Sequence, residues 1–306
     1  MKILLAILVA SAAFANAEEL YVAKTFTKPI GTIKTEGPVC DAQGNLYFCN
    51  MQQEGLTFDW KSANRGNIAK VSPDGKAEVF VPLSEGMRGN GMRFAPTGNL
   101  LVADQLGGQV LGIDMETRAV SVYFKFPEGS GNPNDLAIRK DGTLYVSMFK
   151  DGLWLIRPDK TGEKVADGFH NGIDLSPDEK TLYSVNAAYT VASDGSLSNP
   201  RKLLKLPPKG EGFNWDDGIR TDAEGNIYMA RFGGTREGED KKAPKQNGVI
   251  HMFAPDGTLI RNIPMLSPDV TNVTFGGPDG KTVYVTQPGT KGFIACFRTE
   301  YPGREK

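Results

Sequence analysis

Six small oxygen-bearing residues recur at matched places along the chain: Glu36, Asn90, Asn134, Asn171, Asp217 and Asn272. Each opens a similar stretch. EGPVCDAQGNLYFCN starts at Glu36, NGMRFAPTGNLLVAD at Asn90 and NDLAIRKDGTLYVSM at Asn134. NGIDLSPDEKTLYSVN, DGIRTDAEGNIYMAR and NVTFGGPDGKTVYVTQ start at Asn171, Asp217 and Asn272. An asparagine at a strand start is often a turn mimic that satisfies backbone donors, which accounts for the four amides. It accounts poorly for Glu36 and Asp217, because two carboxylates in a narrow space repel unless something neutralises them. A hard divalent cation resolves this, since Ca²⁺ takes about six to eight oxygens from carboxylates, amide carbonyls and water. Two acids with two or more amides make a roughly charge-balanced site with positions left for substrate or water.

The elements that must carry these residues follow from the pattern behind them. Each polar residue is followed by apolar residues at alternate positions, then a Gly, Asp or Asn turn, then a run rich in Leu, Tyr and Val. That is the period of β-hairpins. Successive ring candidates lie 37 to 55 positions apart, and repeats of about 40–50 residues with four short strands are propeller blades. Two further strands fit between hairpins, as in Asn67–Val71 with Ala77–Phe80 and Val249–Phe253 with Thr258–Ile260. The expected fold is all-β: a six-bladed β-propeller of four-stranded blades around a central metal-binding tunnel, residues 18–306 forming one domain. With each first strand innermost, the six polar residues form a ring at one height. Leu20–Phe26 is expected to complete the last blade and so join the ends of the chain. The fourth blade has a weak third strand near Tyr189–Ala192. The charged stretch 235–247 reads as a rim loop. Phe58 and Trp60, on the connection 51–65, either wall a pocket or fold back on their blade.

The first seventeen residues read as a secretory signal peptide: Lys2, an apolar run from Ile3 to Phe14, then Ala15-Asn16-Ala17. The run is too short to span a bilayer. A periplasmic or secreted location is the expectation. Removing residues 1–17 leaves 34 basic against 36 acidic residues, a formal charge of -2. Near-neutrality gives no electrostatic case for nucleic acid or an anionic membrane, and no other segment suits membrane insertion. A monomer is expected. Cys40, Cys49 and Cys296 show no zinc spacing. A Cys40–Cys49 cross-strand disulfide is conceivable, but buried thiols acting as small hydrophobes are the better fit. His170 should point to the opposite face of its strand from Asn171, into packing. With His251 as the other histidine and no nucleophile elbow, Ser-based hydrolysis is unsupported. Arg231 is expected in a surface ion pair rather than on an anionic substrate group.

Several short motifs in fixed order resemble those of the senescence marker protein 30 (regucalcin), gluconolactonase and luciferin-regenerating-enzyme-like family. They are Glu36-Gly37-Pro38, Pro133-Asn134-Asp135, Asn171-Gly172-Ile173-Asp174 with Ser176-Pro177-Asp178, Asp217-Gly218-Ile219 with Asp222-Ala223-Glu224-Gly225, and Phe275-Gly276-Gly277. The resemblance covers essentially the whole chain after residue 17. It implies a six-bladed propeller with one divalent ion, calcium first and zinc, manganese or magnesium as alternatives. It implies Glu36, Asn171 and Asp217 as metal ligands, Asn134 on metal or substrate, and Asp217 as catalytic acid/base. Asn90 and Asn272 fall at ring positions the family does not generally use and are kept as substrate-binding candidates. Asn132 stands where regucalcin-like members carry an arginine, as in gluconolactonase-like relatives, and is a further substrate-binding candidate.

The implied activity is metal-dependent hydrolysis of a small-molecule lactone. The metal would be the Lewis acid, and Asp217 would take the proton of the attacking water and return one to the leaving alkoxide. Direct attack by a metal-activated water, with Asp217 only positioning it, stays open. So do two other functions: a non-catalytic sugar- or peptide-binding propeller, and phosphoester or organophosphate hydrolysis at the same metal.

Overall fold

The computed structural model describes residues 19–27, 34–51, 65–149, 151–206, 211–236, 245–289 and 292–305. The expected signal peptide, Phe58, Trp60 and most of the 235–247 insertion lie outside the described residues. Among the described residues, twenty-four strands, numbered β1–β24 in chain order, form six antiparallel four-stranded sheets. The first strand of each repeat lies at one edge of its sheet, and these six strands face one another around the axis. They are β2 (Thr35–Cys40), β6 (Gly89–Phe94), β10 (Asn132–Ile138), β14 (Ile173–Leu175), β18 (Glu211–Thr221) and β22 (Asn272–Gly276). The architecture is the six-bladed β-propeller expected from the repeat.

Local sequence explains the hairpins. In the first and fifth blades the turn is Asp-Ala-x-Gly-Asn. Asp41 Oδ1 accepts from the N–H groups of Gln43 (3.0 Å) and Asn45 (2.8 Å). Asp222 Oδ1 does the same for Glu224 (3.0 Å) and Asn226 (2.8 Å). An aspartate at that place closes its own turn, so the apolar runs on both sides pair in fixed register. Inner and middle strands are covered on both faces, while outer strands such as Val120–Lys125 are largely exposed or half-buried. Successive blades meet through apolar clusters: Val39, Tyr47 and Ile68 of the first pack on Met92, Leu100, Val102 and Leu111 of the second. At about 1.5–3 kcal/mol for each buried large aliphatic or aromatic side chain, these seams dominate the stability.

The ends of the chain share the sixth blade. β1 (Lys24–Thr25) pairs antiparallel with β24 (Phe293–Arg298) through Lys24–Cys296 and Thr25–Ala295. Phe26 N–H donates to Ile294 O at 2.8 Å, and Phe26 meets Tyr284 edge-on at 4.8 Å. The closing strand is shorter than Leu20–Phe26. Tyr21 takes a φ of +62°, which ends the extended backbone and leaves an isolated bridge between Leu20 and Arg298. The fourth blade is the slightest, with strands of three to five residues and a third strand at Ala188–Val191. Cys49 lies opposite Glu36 and Cys40 opposite Leu46, so the two thiols are not cross-strand partners, and none of the three cysteines is in a disulfide.

Candidate functional site

The backbone departs from regular β structure at the ring. In blades 1, 2, 3 and 5 the pairing of the inner strand with its neighbour slips between Glu36 and Val39, Gly89 and Met92, Pro133 and Leu136, and Asp216 and Ile219. Two inner-strand residues there oppose one on the partner. A bulge of this kind bends the strand and re-aims a side chain. Asn90, Asn134 and Asp217 are the first residues of their bulges, and Glu36 is the last paired residue before its own. Asn171 lies two residues before the start of β14, while Asn272 sits in regular pairing opposite Thr286.

Glycines let the inner strands approach one another at this height. Gly37 has φ +52°, and a Cβ there would lie 2.0 Å from Asn90 O. At Gly218 a Cβ would lie 2.0 Å from the side-chain carbon of Asn272. Neither position admits another residue without moving backbone or a ring side chain.

All six ring residues are buried. The Asn272 amide faces the Glu36 carboxylate and the Asn171 amide that of Asp217, each lowering the proton affinity of its acid. Asn171 Nδ2 also donates to Asp216 O at 3.1 Å, and Asn272 Oδ1 accepts from Val273 N–H at 2.9 Å. The structure therefore links the side chains of Asn171, Asp217, Asn272 and Glu36 along blades 4, 5, 6 and 1. Asn90 and Asn134 reach the same ring through backbone contact at Gly37 and Gly91. Burial first, and then Glu36, holds the Asp217 carboxyl well above the ordinary carboxylate range. Burial likewise pushes Glu36 up to about 7, against the pull of the Lys34 ammonium. Lys34 is itself pulled below its usual value by burial, although Glu36 and Asp217 act the other way.

These residues fit a hard cation. Glu36 Oε2 and Asn171 Oδ1 are buried oxygens with no hydrogen-bond donor, a costly state for acceptors out of water. The donor set is carboxylate and amide oxygen, the chemistry that suits calcium rather than zinc. Among the described residues no group of three His, Cys, Asp or Glu could hold a metal, so the amides would have to complete any coordination.

The histidines serve packing. His170 is buried with Nδ1 2.7 Å from Ser184 Oγ and Nε2 3.2 Å from Asp167 O. His251 is buried with Nδ1 2.6 Å from Asn262 Oδ1. Arg231 corrects the surface expectation: it is buried, its Nε 3.0 Å from Asp216 Oδ1. A buried guanidinium is held where a carboxylate meets it, and Asp216 adjoins the ring residue Asp217.

Further along the tunnel lies a buried ionic girdle that was not singled out from the sequence. Asp135 receives Arg93 at 3.4 Å and Arg220 at 3.2 Å. Asp174 receives Arg304 at 2.9 Å, with Arg93 at 3.9 Å. The C-terminal segment brings Arg304 there, held by Arg304 N–H to Thr221 O at 3.1 Å. Burial alone would raise Asp174, yet Arg304, Arg93 and Arg220 keep it below the usual range. The sequence signal was a charge three residues after Asn90, Asn171 and Asp217, inside apolar runs. A cavity of about 920 Å³ opens at this end, lined in part by Tyr47, Phe94, Met115, Arg139, Phe275 and Arg304, away from the ring.

Six four-stranded blades, with two buried acids and amide oxygens at the start of their inner strands, define a β-propeller with a polar axial site. The chain belongs to the SMP-30/gluconolactonase/LRE-like family, whose model matches residues 34–288. It is 28% identical over 292 residues to a gluconolactonase of Zymomonas mobilis, covering 82% of this chain and 75% of that protein. It is 33% identical over 150 residues to a regucalcin of Xenopus laevis, covering 46% of this chain and 45% of that one. Among solved structures, a gluconolactonase from Xanthomonas campestris superposes with a TM-score of 0.71 at 19% identity, over 92% of this chain and 89% of that one. A calcium-binding protein, regucalcin, from Agrobacterium tumefaciens superposes with a TM-score of 0.68 at 18% identity, over 94% and 95%. These two likenesses support the fold.

Proposed function

We propose that the protein is a divalent-metal-dependent lactonase. The observation that carries this reading is the pair of buried acids, Glu36 and Asp217, brought from blades 1 and 5 into mutual electrostatic reach beside the donor-less Asn171 Oδ1. Family membership, and relatives named gluconolactonase and pentonolactonase, support the reaction class. Glu36, Asn134, Asn171 and Asp217 would hold one cation, with calcium favoured by the oxygen donors and by the name of the Agrobacterium relative. Bound there, the ion would supply Lewis acidity toward the lactone carbonyl and the attacking water.

The chain's own groups do the rest. Asp217 accepts a proton from the attacking water as the C–O bond forms. It returns one proton to the ring oxygen as the acyl–oxygen bond breaks, leaving the open hydroxy acid. Asn272 holds Glu36 in place, and Asn171 holds Asp217. Asn90, Asn132 and Asn134 are the amides available to substrate hydroxyls.

The test is hydrolysis of D-glucono-1,5-lactone, followed by acid release, before and after chelation and with calcium restored. Activity lost with EDTA and recovered with calcium is the expected outcome. Unchanged turnover after verified metal removal would overturn the metal dependence, and binding of sugar lactones without turnover would move the protein to the sugar-binding class.

A further inference from the structure

The cavity at the lower end of the tunnel has apolar walls and a cationic floor. Its volume, about 920 Å³, is that of a small-molecule site. Tyr47, Phe94, Met115 and Phe275 are in the walls. Tyr47 meets Phe80 edge-on at 5.1 Å and Phe94 at 6.0 Å, and Phe275 meets Tyr228 at 5.1 Å, so the fold sets these rings in place. The floor is the ionic girdle, from which Arg220 and Arg304 line the cavity. The segment 301–305 covers one side only. Ala223 N–H donates to Pro302 O at 2.8 Å and Gly303 N–H to Gly280 O at 3.1 Å, which ties it to blades 5 and 6.

The carboxylates of the girdle are satisfied, but its guanidiniums are not. Arg93 uses Nη1 on Met92 O (2.8 Å) and Asp135 Oδ1 (3.4 Å), and Nη2 on Ile173 O (3.2 Å). Its Nε has no acceptor. Arg220 uses Nη1 on Ile219 O (2.6 Å) and Asp135 Oδ2 (3.2 Å), and its Nη2 has none. Both side chains are almost fully buried, 1% and 5% exposed, where an N–H without an acceptor is costly. Because they share Asp135, the spare donors belong to neighbouring guanidiniums. The acid that approaches them is Glu305, and it does so loosely. Its Oε1 is 3.8 Å from Arg93 Nε and 3.3 Å from Arg304 Nη2, and its side chain is 49% exposed. Other acids lining the cavity are engaged elsewhere. Asp41 closes its own turn, and Glu179 accepts Lys140 N–H at 2.9 Å and pairs with Arg139 at 3.5 Å.

We propose that the lower cavity binds a small organic carboxylate with an apolar body, whose carboxylate takes the place of Glu305 against Arg93 and Arg304, beside Arg220. A guanidinium fork matches the planar carboxylate, and such charge-assisted bonds are stronger than bonds to a neutral acceptor. Aromatic and methionine walls receive the apolar body. The site is apart from the axial ring and does not depend on the lactonase reading.

The experiment is calorimetric titration of the calcium-loaded protein with phenylacetate, phenylacetamide, acetate and inorganic phosphate, on the wild type, E305Q and R220M. Phenylacetate should bind about tenfold or more tighter than its amide, because only the acid supplies a charged acceptor. It should exceed acetate by a similar factor, since acetate leaves the apolar walls uncovered. E305Q removes the competing carboxylate at a half-exposed position, so affinity for phenylacetate should rise about threefold or more. R220M should lower it about tenfold; its thermal melt checks that it folds, and the ligand pairs and E305Q decide the matter if it does not. Binding should persist after calcium is removed with EDTA. Equal binding of acid and amide, or no gain in E305Q, overturns the proposal. So does phosphate binding as tightly as phenylacetate, which would make this a site for inorganic anions. Loss of binding with EDTA would put the ligand at the axial ring instead.

Discussion

The two ends of the tunnel handle buried charge in opposite ways. At the lower end Asp135 and Asp174 meet Arg93, Arg220 and Arg304, and Asp174 lies below its usual range because those guanidiniums outweigh burial. At the upper end Glu36 and Asp217 are as deeply buried, yet burial drives both upward, helped by Asp135 at Glu36 and by Glu36 at Asp217, with Lys34 as partial relief. Hydrogen bonds follow the same division. Asp174 Oδ2 accepts from Thr221 N–H (2.9 Å) and Oγ1 (3.2 Å), whereas Glu36 Oε2 has no donor. Matched charges hold blades 2, 3, 4 and 5 and the C-terminal segment together. Mismatched ones mark where the fold tolerates instability so that something else can bind.

That contrast can be broken first at Asp217. Asp217→Asn keeps size and removes the proposed acid/base, so lactone turnover should fall by about 10³-fold while the melting temperature of the metal-free protein does not fall. Activity near wild type with metal still bound would remove Asp217 as the proton acceptor and leave it a ligand only. The counterpart at the lower end is Asp135→Asn, which leaves Arg93 and Arg220 facing each other without their shared carboxylate. Breaking a buried pair from one side costs about 3–5 kcal/mol, read as a lower denaturation midpoint in urea. A midpoint that stays put would mean that the girdle is not structural. Arg304→Ala removes the cation that the C-terminal segment delivers to Asp174. Arg220 and the Thr221 donors remain nearby, so the loss should be smaller, about 2 kcal/mol, and should shrink as pH falls and Asp174 takes up a proton.

The upper ring was far more legible in the sequence than the girdle, and the reason is geometric. Glu36, Asn171 and Asp217 head repeats whose turns fix their own register, as Asp41 and Asp222 do, so matched spacing translated directly into matched height. The bulges that aim these side chains depend on how two strands pair, which the repeat alone does not reveal. Arg93, Asp174 and Arg220 were visible as charges inside apolar strands, but their mutual contacts cross blades. Arg304 carried no local signal, since its partner Asp174 is 130 residues away in sequence. The closing strand was legible in place but not in length, because Tyr21 leaves the extended region. Arg231 was misplaced at the surface because nothing local told of the register that sets it against Asp216.

The smallest expected effect sharpens the comparison most, because its sign differs between the two ends. In metal-depleted protein, burial raises Glu36 to about 7 from an ordinary 4.5. Between those values the folded chain keeps a proton that the unfolded chain has released. Stability must therefore fall as pH rises through this window, and the penalty is complete above about pH 8. Asp174, held low, contributes in the opposite sense: its stabilisation is present at neutral pH and is lost as pH falls through the acid range. Glu36→Gln abolishes the first titration while keeping an oxygen for Asn272 to meet. The metal-free variant should match wild type near pH 5 and exceed it by about 1–2 kcal/mol at pH 8, the sense expected when a poorly compensated buried charge becomes neutral. Its melting temperature should no longer rise on adding calcium. A wild type that is instead destabilised by the substitution at pH 8 would mean that Lys34 already matches Glu36 fully, and the upper ring would then be a second girdle rather than a site.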